Sequence, residues 1–359
     1  MTSEDSVHRS PDTGPGRAGI VRAGVVQAAP VPFDPVATPT VNAQPVSIPS
    51  SNDIASAARR ISDVVRCTPV IQVAAGELGV PVPVMVKLEF LQHTGSFKVR
   101  GASNALALLR AAEGGAPTAG VCCASGGNHG AAVAWAAREA DLPATVFVPD
   151  FSPKAKTDVI ESLGARLHRV EGFYADALAA SQDHARQEGA FHIDAYDDPR
   201  TVAGQGTLGL ELAEQIPEGQ PVLVGCGGGG LYAGVALALN GRNRVTAAEP
   251  SAAPSLTAAL EAGEPVDVEV GGIALDSLGA RRAGRIATAV GLSLGMETLT
   301  VADEDISAAR ALLWQQLRIV AEPGGAAALA ALRAHPERFP DGATVVVSGA
   351  NTAPSSRMG

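Results

Sequence analysis

Four consecutive glycines interrupt this chain at Val224-Gly225-Cys226-Gly227-Gly228-Gly229-Gly230-Leu231-Tyr232-Ala233-Gly234-Val235. Glycine loses more conformational freedom on folding than any other residue, so such a run belongs where backbone must turn tightly or approach a ligand. Here an apolar, strand-like stretch runs into the glycines, and Leu231, Val235, Leu237 and Leu239 continue as a helix. A turn of that kind aims several N–H groups at one point, at the end of a helix that favours an anion. A phosphate fits. The segment has neither the GxxxxGK[ST] form of a P-loop nor the GxGxxG and downstream acid of a dinucleotide site, so a small phosphate compound is expected and a nucleotide-binding module is not.

The same alternation recurs along the chain. Short apolar runs at 83–88, 119–124, 144–148, 166–170, 222–224, 245–248 and 344–347 are each followed by a helical pattern, which predicts one or two parallel sheets covered by helices on both faces. Ligands then belong at the carboxyl ends of the strands. Residues 1–50, rich in Pro, Val, Ala, Ser and Thr without periodicity, are expected to be a disordered or draped extension. From Asn52, helical spacing of Ile54, Ala57, Ala58, Ile61, Val64 and Val65 marks the start of the folded body, with Ser51 as the candidate cap.

Three further segments carry chemistry. Lys98 lies in His93-Thr94-Gly95-Ser96-Phe97-Lys98-Val99-Arg100-Gly101, after the strand-like 84–89. An amine in apolar surroundings has a lowered pKa and forms Schiff bases with aldehydes. Ser125-Gly126-Gly127-Asn128-His129-Gly130 is a second strand-to-helix turn, whose amides and Ser125 hydroxyl suit a substrate carboxylate and whose Asn128 side chain can donate to an aromatic oxygen. A capped turn without a ligand is the plainer reading of that loop, and the cap position alone accounts for His129. Near the end, Glu322-Pro323-Gly324-Gly325 enters an Ala-rich helix, and Ser348-Gly349-Ala350-Asn351 follows a buried strand, where a serine can bond a heterocyclic nitrogen.

Together these segments resemble the fold type II pyridoxal phosphate enzymes, the tryptophan synthase β family, and within it the serine/threonine dehydratase and serine racemase branch. The resemblance runs from about Asn52 to Asn351, through Lys87-Leu88-Glu89, 94–98, 127–130, Ala203-Gly204-Gln205-Gly206-Thr207, 227–230, Ala248-Glu249-Pro250, Glu322-Pro323 and Ser348-Gly349. It implies two parallel-sheet α/β domains with the cofactor in the cleft between them: 51–89 and 175–359 as the large domain, 90–174 as the small one. It also implies that Lys98 holds the cofactor as a Schiff base, with Phe97 packed on the ring and Asn128 bonded to the phenolic oxygen. On the same resemblance Gly227, Gly228, Gly229 and Gly230 are expected to bind the phosphate, Glu322 to border the cofactor, and Ser348 to face the pyridine nitrogen. Ser125, Gly126, Gly127, Asn128 and His129 surround the substrate.

A serine at the ring nitrogen favours expulsion of a β leaving group over transamination. The implied activity is therefore β-elimination of a β-hydroxy amino acid such as L-threonine or L-serine to a 2-oxo acid and ammonia, with Lys98 as the base at Cα. Racemases of this branch place a second base, a serine, where Gly126 stands here, so racemisation should be negligible. Other members of the branch bind a divalent cation through the Ala-Glu-Pro glutamate and an aspartate shortly after it. Glu249 is present, but Ala252, Ala253, Pro254 and Ser255 offer no carboxylate. Alternatives left open are β- or γ-replacement of the cysteine synthase or threonine synthase type, a dehydratase of a hydroxyaspartate or specialised metabolite served by Arg281 or Arg282, and a non-catalytic cofactor carrier. His93 is expected to be a half-exposed loop residue.

Composition narrows the setting. With 27 Lys and Arg against 37 Asp and Glu, a net charge of −10 and no basic run, nucleic acid is not a partner. Four cysteines without a CxxC point to a reducing, cytoplasmic compartment. No run reaches the roughly 18 apolar residues of a membrane span, and the acidic Met1-Thr2-Ser3-Glu4-Asp5 does not read as a secretory signal. The resemblance carries the expectation of a homodimer or tetramer.

Overall fold

The computed structural model describes residues 40–41, 44–112, 115 and 117–352. The draped extension expected over 1–50 lies outside the described residues as far as 39. Its last part is ordered: β1 (Thr40–Val41) pairs antiparallel with β2 (Gln44–Pro45), and Val46 is buried in the core. The first helix, α1 (Ser51–Ile61), is capped by Ser50 rather than Ser51. Ser50 has Asp53 three residues on, so the Asp53 amide donates to the Ser50 hydroxyl (3.2 Å) while the Ser50 amide donates to the Asp53 carboxylate (2.8 Å), a reciprocal capping box.

Ten strands follow: β3 (Val70–Val73), β4 (Val84–Lys87), β5 (Val121–Ala124), β6 (Ala144–Pro149), β7 (Arg166–Val170), β8 (Phe191–His192), β9 (Val222–Gly225), β10 (Val245–Pro250), β11 (Thr298–Val301) and β12 (Ala343–Val346). They form two sheets. The larger has the order β11-β10-β9-β12-β4-β3, parallel except for β3, which runs antiparallel to β4 at the edge. The smaller has the order β7-β6-β5-β8 and is wholly parallel. All seven expected strands are present, each within a few residues. Unforeseen are β3, β8 and β11, whose two to four residues are too short to display a period.

Helices α2 (Lys98–Ala111), α3 (Asn128–Glu139), α4 (Lys154–Ser162), α5 (Tyr174–Glu188), α6 (Pro199–Gln215), α7 (Gly230–Leu239), α8 (Ser255–Ala262), α9 (Leu275–Leu278), α10 (Arg285–Leu294), α11 (Asp303–Leu317) and α12 (Pro323–Ala334) complete the chain. The boundary expected at 174 falls inside the smaller layer: β8, which follows α5, pairs with β5, so that layer extends to about 193. Helix α12 is buried from Gly324 through Leu332, and its small side chains let it lie flat against the large sheet. Helices α6 and α7 touch through Gly206 and Gly234, where a side-chain carbon on Gly234 would come within 2.6 Å of the Gly206 nitrogen.

A buried ionic network fastens α2 to the large sheet. Arg100, on the first turn of α2, donates to Glu89 (2.6 and 2.9 Å) and to Glu211 on α6 (2.6 Å), and Lys87 on β4 reaches Glu211 at 2.5 Å. Lys87, Glu89 and Arg100 are fully buried. Buried charges persist only when paired and hydrogen-bonded, and here each one is.

Candidate active site

Lys98 is the first residue of α2, and the backbone leading into it is held by the chain's far end. Ser96 forms an antiparallel bridge with Gly349, and the Phe97 amide donates to the Ser348 carbonyl at 3.1 Å. Amine and serine are thereby set side by side. The Lys98 Nζ donates to the Ala195 carbonyl (2.9 Å) and lies 5.0 Å from the centre of the Phe97 ring, with no carboxylate in ion-pair contact among the described residues. Burial lowers its pKa to about 8, against the opposing pull of Asp194 and Glu322. Ser348 is buried, two residues beyond the end of β12.

The loop after β5 lies across from this pair. The Ser125 hydroxyl accepts from the Gly127 amide at 3.2 Å, so it braces the turn as well as facing the cleft. The amides of Gly126, Asn128 and His129, at the start of α3, have no partner among the described residues and are free for an anion. Asn128 donates to Glu322 at 2.7 Å and accepts from Asn351 at 2.7 Å. His129 is buried with Nε2 3.0 Å from the Ile193 carbonyl, and burial, helped by Lys98, drops its pKa to about 4. A neutral ring whose Nε2 faces a carbonyl carries its proton there and is no base toward the cleft. Beside Gly126, Ser152 Oγ would lie 3.2 Å from an added side-chain carbon.

The four-glycine turn closes the third side. Gly229, with φ +87, is in the left-handed region that glycine alone adopts without strain, and the amides of Gly227 to Gly230 have no partner among the described residues. Tyr196 lies against Gly228 and Gly230, leaving no room for side chains there. Glu322 is buried at the foot of α12, and burial raises its pKa to about 7 although the Asn128 bond opposes this. Lys156 on α4 and Asp276 on α9 form an ion pair (2.6 Å) joining helices of the small and large layers, and both charges act on Glu322.

Several expected site residues are thus gathered at one cleft, while others are engaged elsewhere. Arg282 is tied to Asp267 (3.0 Å) and to the Pro265 carbonyl (2.6 Å), and is not free for a substrate carboxylate. His93 stacks on Trp135 with ring centres 4.5 Å apart. Tyr196, Asp194 and the Lys156–Asp276 pair escaped the sequence reading, and Asn351 was given no role in it. Only the chain order Asp194-Ala195-Tyr196-Asp197, just before the helix that carries 203–207, hinted at any of them.

Two parallel-sheet layers, a lysine biased toward its neutral form and a glycine phosphate turn define an enzyme that works through a carbonyl cofactor bearing a phosphate. The chain belongs to the pyridoxal-phosphate dependent enzyme family, which it matches over residues 61–349. It is 33% identical over 308 residues to an L-threonine ammonia-lyase of Thermotoga maritima, covering 83% of this chain and 75% of that one. Among solved structures it resembles the threonine deaminase of T.th. (TM-score 0.78, 32% identity, 86% of this chain and 100% of that one). It also resembles maize serine racemase (TM-score 0.80, 30% identity, 86% and 96%). The two-layer architecture is that of fold type II enzymes.

The residues present fit pyridoxal phosphate. An amine without a carboxylate partner suits its aldehyde, the free glycine amides suit its phosphate, and the buried Ser348 hydroxyl suits its ring nitrogen.

Proposed function

We propose that the protein is an ammonia-lyase that dehydrates a β-hydroxy amino acid, L-threonine or L-serine in the first instance, to a 2-oxo acid and ammonia. The observation that carries this reading is Lys98: a part-buried amine with pKa about 8, flanked by two loops of free amides and tied to Ser348 through the neighbouring Phe97 amide. When bound, pyridoxal phosphate supplies the aldehyde that captures the substrate amine and the ring that draws electrons from Cα. Gly227 to Gly230 would hold its phosphate, Phe97 would support its ring, and Asn128, itself steadied by Glu322 and Asn351, would donate to its phenolic oxygen.

The amides of Gly126, Asn128 and His129 bind the substrate carboxylate and orient the Cα–H bond toward Lys98. Lys98 would take that proton on Nζ, and the β-hydroxyl would take up one proton in its place and leave as water; a second water would then hydrolyse the enamine product to 2-oxo acid and ammonia. Ser348 offers the ring nitrogen a neutral hydrogen bond and no negative charge, which favours loss of the β group. Glycine at 126 gives the opposite face of Cα no hydroxyl. The commitment of Arg282 to Asp267 and Pro265 leaves Arg281 as the arginine that would have to serve a hydroxyaspartate. Within this reading 51–89 and about 194–352 form the cofactor domain, and the four unpaired cysteines support a reducing compartment.

A panel of L-threonine, L-serine and threo-3-hydroxyaspartate, assayed for 2-oxo acid, ammonia and D-amino acid, tests the proposal. Ammonia from threonine and serine without added thiol is expected, with negligible D-serine. Product only in the presence of a second nucleophile would replace it by a β-replacement reading, and D-serine at a rate comparable to pyruvate would point to Ser152 as a second proton donor.

A further inference from the structure

Glu249, at the end of β10, is the one residue of the cation pair seen in related dehydratases that this chain keeps. It is fully buried, and both its oxygens are engaged by hydrogen-bond donors at the start of α8. Oε1 accepts from the Leu256 amide at 2.7 Å; Oε2 accepts from the Thr257 amide at 2.8 Å and from the Thr257 hydroxyl at 2.6 Å. A hard divalent cation wants about six oxygen ligands. Here the lone pairs it would use face N–H and O–H groups and the positive end of a helix, which repel a cation. Residues 250–257 add no carboxylate, and the described residues contain no cluster of three His, Cys, Asp or Glu suited to a metal. The residues do not fit the ion.

They fit a different device. Ser255, the first residue of α8, donates its hydroxyl to the carbonyl of Gly227 at 3.1 Å, and Gly227 opens the phosphate turn. Thr257 in turn sits 2.8 Å from the hydroxyl of Thr298 on β11, which anchors the same helix start to the sheet. Glu249 therefore fixes the first turn of α8, and α8 fixes the glycines.

We propose that a hydrogen-bond relay from Glu249 through α8 and Ser255 to Gly227, and not a divalent cation, fixes the phosphate turn in this chain, so that Glu249 and Ser255 are positioning residues for the phosphate of the cofactor. The relay sets the height of the Gly227 carbonyl and with it the direction of the amides that follow.

The test reads cofactor affinity without substrate, so a wrong substrate assignment leaves it intact. Protein stripped of pyridoxal phosphate is reconstituted in EDTA, in magnesium chloride and in manganese chloride, and binding is followed by the visible absorbance of the bound cofactor. The expected result is the same affinity and the same Tm in all three. Ser255→Ala should weaken cofactor affinity about fivefold, the size of one ordinary hydrogen bond, and Ser255→Thr should restore it. Loss of cofactor or of Tm in EDTA with recovery in magnesium or manganese would overturn the proposal, as would wild-type affinity in Ser255→Ala.

Discussion

Lys98 and Arg100 stand two residues apart on the first turn of the same helix, Arg100 fully buried and Lys98 part-buried, and they are treated oppositely. Arg100 donates to two carboxylates at 2.6 to 2.9 Å, and although burial pulls its pKa down, Glu89 and Glu211 outweigh that and raise it. Lys98 has one carbonyl at 2.9 Å and no paired carboxylate, and its pKa falls to about 8. Saturation makes a buried cation a fixed part of the frame. Deprivation makes it an amine that gives and takes a proton near neutrality. The helix needs both, since a reactive group is useful only on a support that does not move.

Substitutions at the two positions should separate these roles. The largest effect is expected from Lys98→Ala, which should lower kcat by about 10³-fold or more while the protein stays folded, measured as 2-oxo acid formation alongside circular dichroism. Next comes Arg100→Met. It strands Glu89 and Glu211 as buried negative charges and should cost about 3–5 kcal/mol in urea unfolding, with loss of activity following loss of fold.

A smaller effect of opposite sign is expected from Lys98→Met in cofactor-free protein. Because the folded pKa of Lys98 is depressed, the unfolded chain holds a proton between about 8 and 10.5 that the folded chain does not, and the wild type gains stability as pH rises across that window. Below 8 the buried charge is a burden on the wild type. Lys98→Met should therefore raise Tm at pH 7, and the advantage should shrink toward pH 10; a constant difference would mean that Lys98 is not strained by burial. Smallest of all is Lys156→Met. The ion pair with Asp276 is partly exposed, and its loss should change stability by less than about 1 kcal/mol.

Much of the site was legible because its chemistry lies in turns whose residue types are unusual. Four adjacent glycines, an amine after Thr94-Gly95-Ser96-Phe97, and the 125–130 loop each announce a local backbone requirement. What could not be read depends on pairings between distant parts of the chain. Nothing near Asp276 foretells Lys156, and nothing near Gly228 foretells the ring of Tyr196. The role of Glu249 stayed open in the sequence for a related reason. A carboxylate after Ala247-Ala248 looks the same whether it faces an ion or a helix start, and only the placement of Leu256 and Thr257 decides. The short strands β3, β8 and β11 were hidden by length, and β8 moved the edge of the smaller layer with it.

The place of β12 in the larger sheet has a consequence for how the protein comes to exist on the ribosome. The last strand of the sheet to be synthesised sits in its middle, between β9 and β4, and carries Ser348 at its end. Until residues 343–346 emerge from the exit tunnel, β4 and β9 have an unfilled gap between them and the entry to Lys98 has no Ser348 or Gly349 to hold it. Closure across so long a stretch of chain is slow and comes late. The nascent protein should accordingly be unable to capture its cofactor until β12 and Ser348 have been made, with the smaller, sequence-local sheet already folded and waiting.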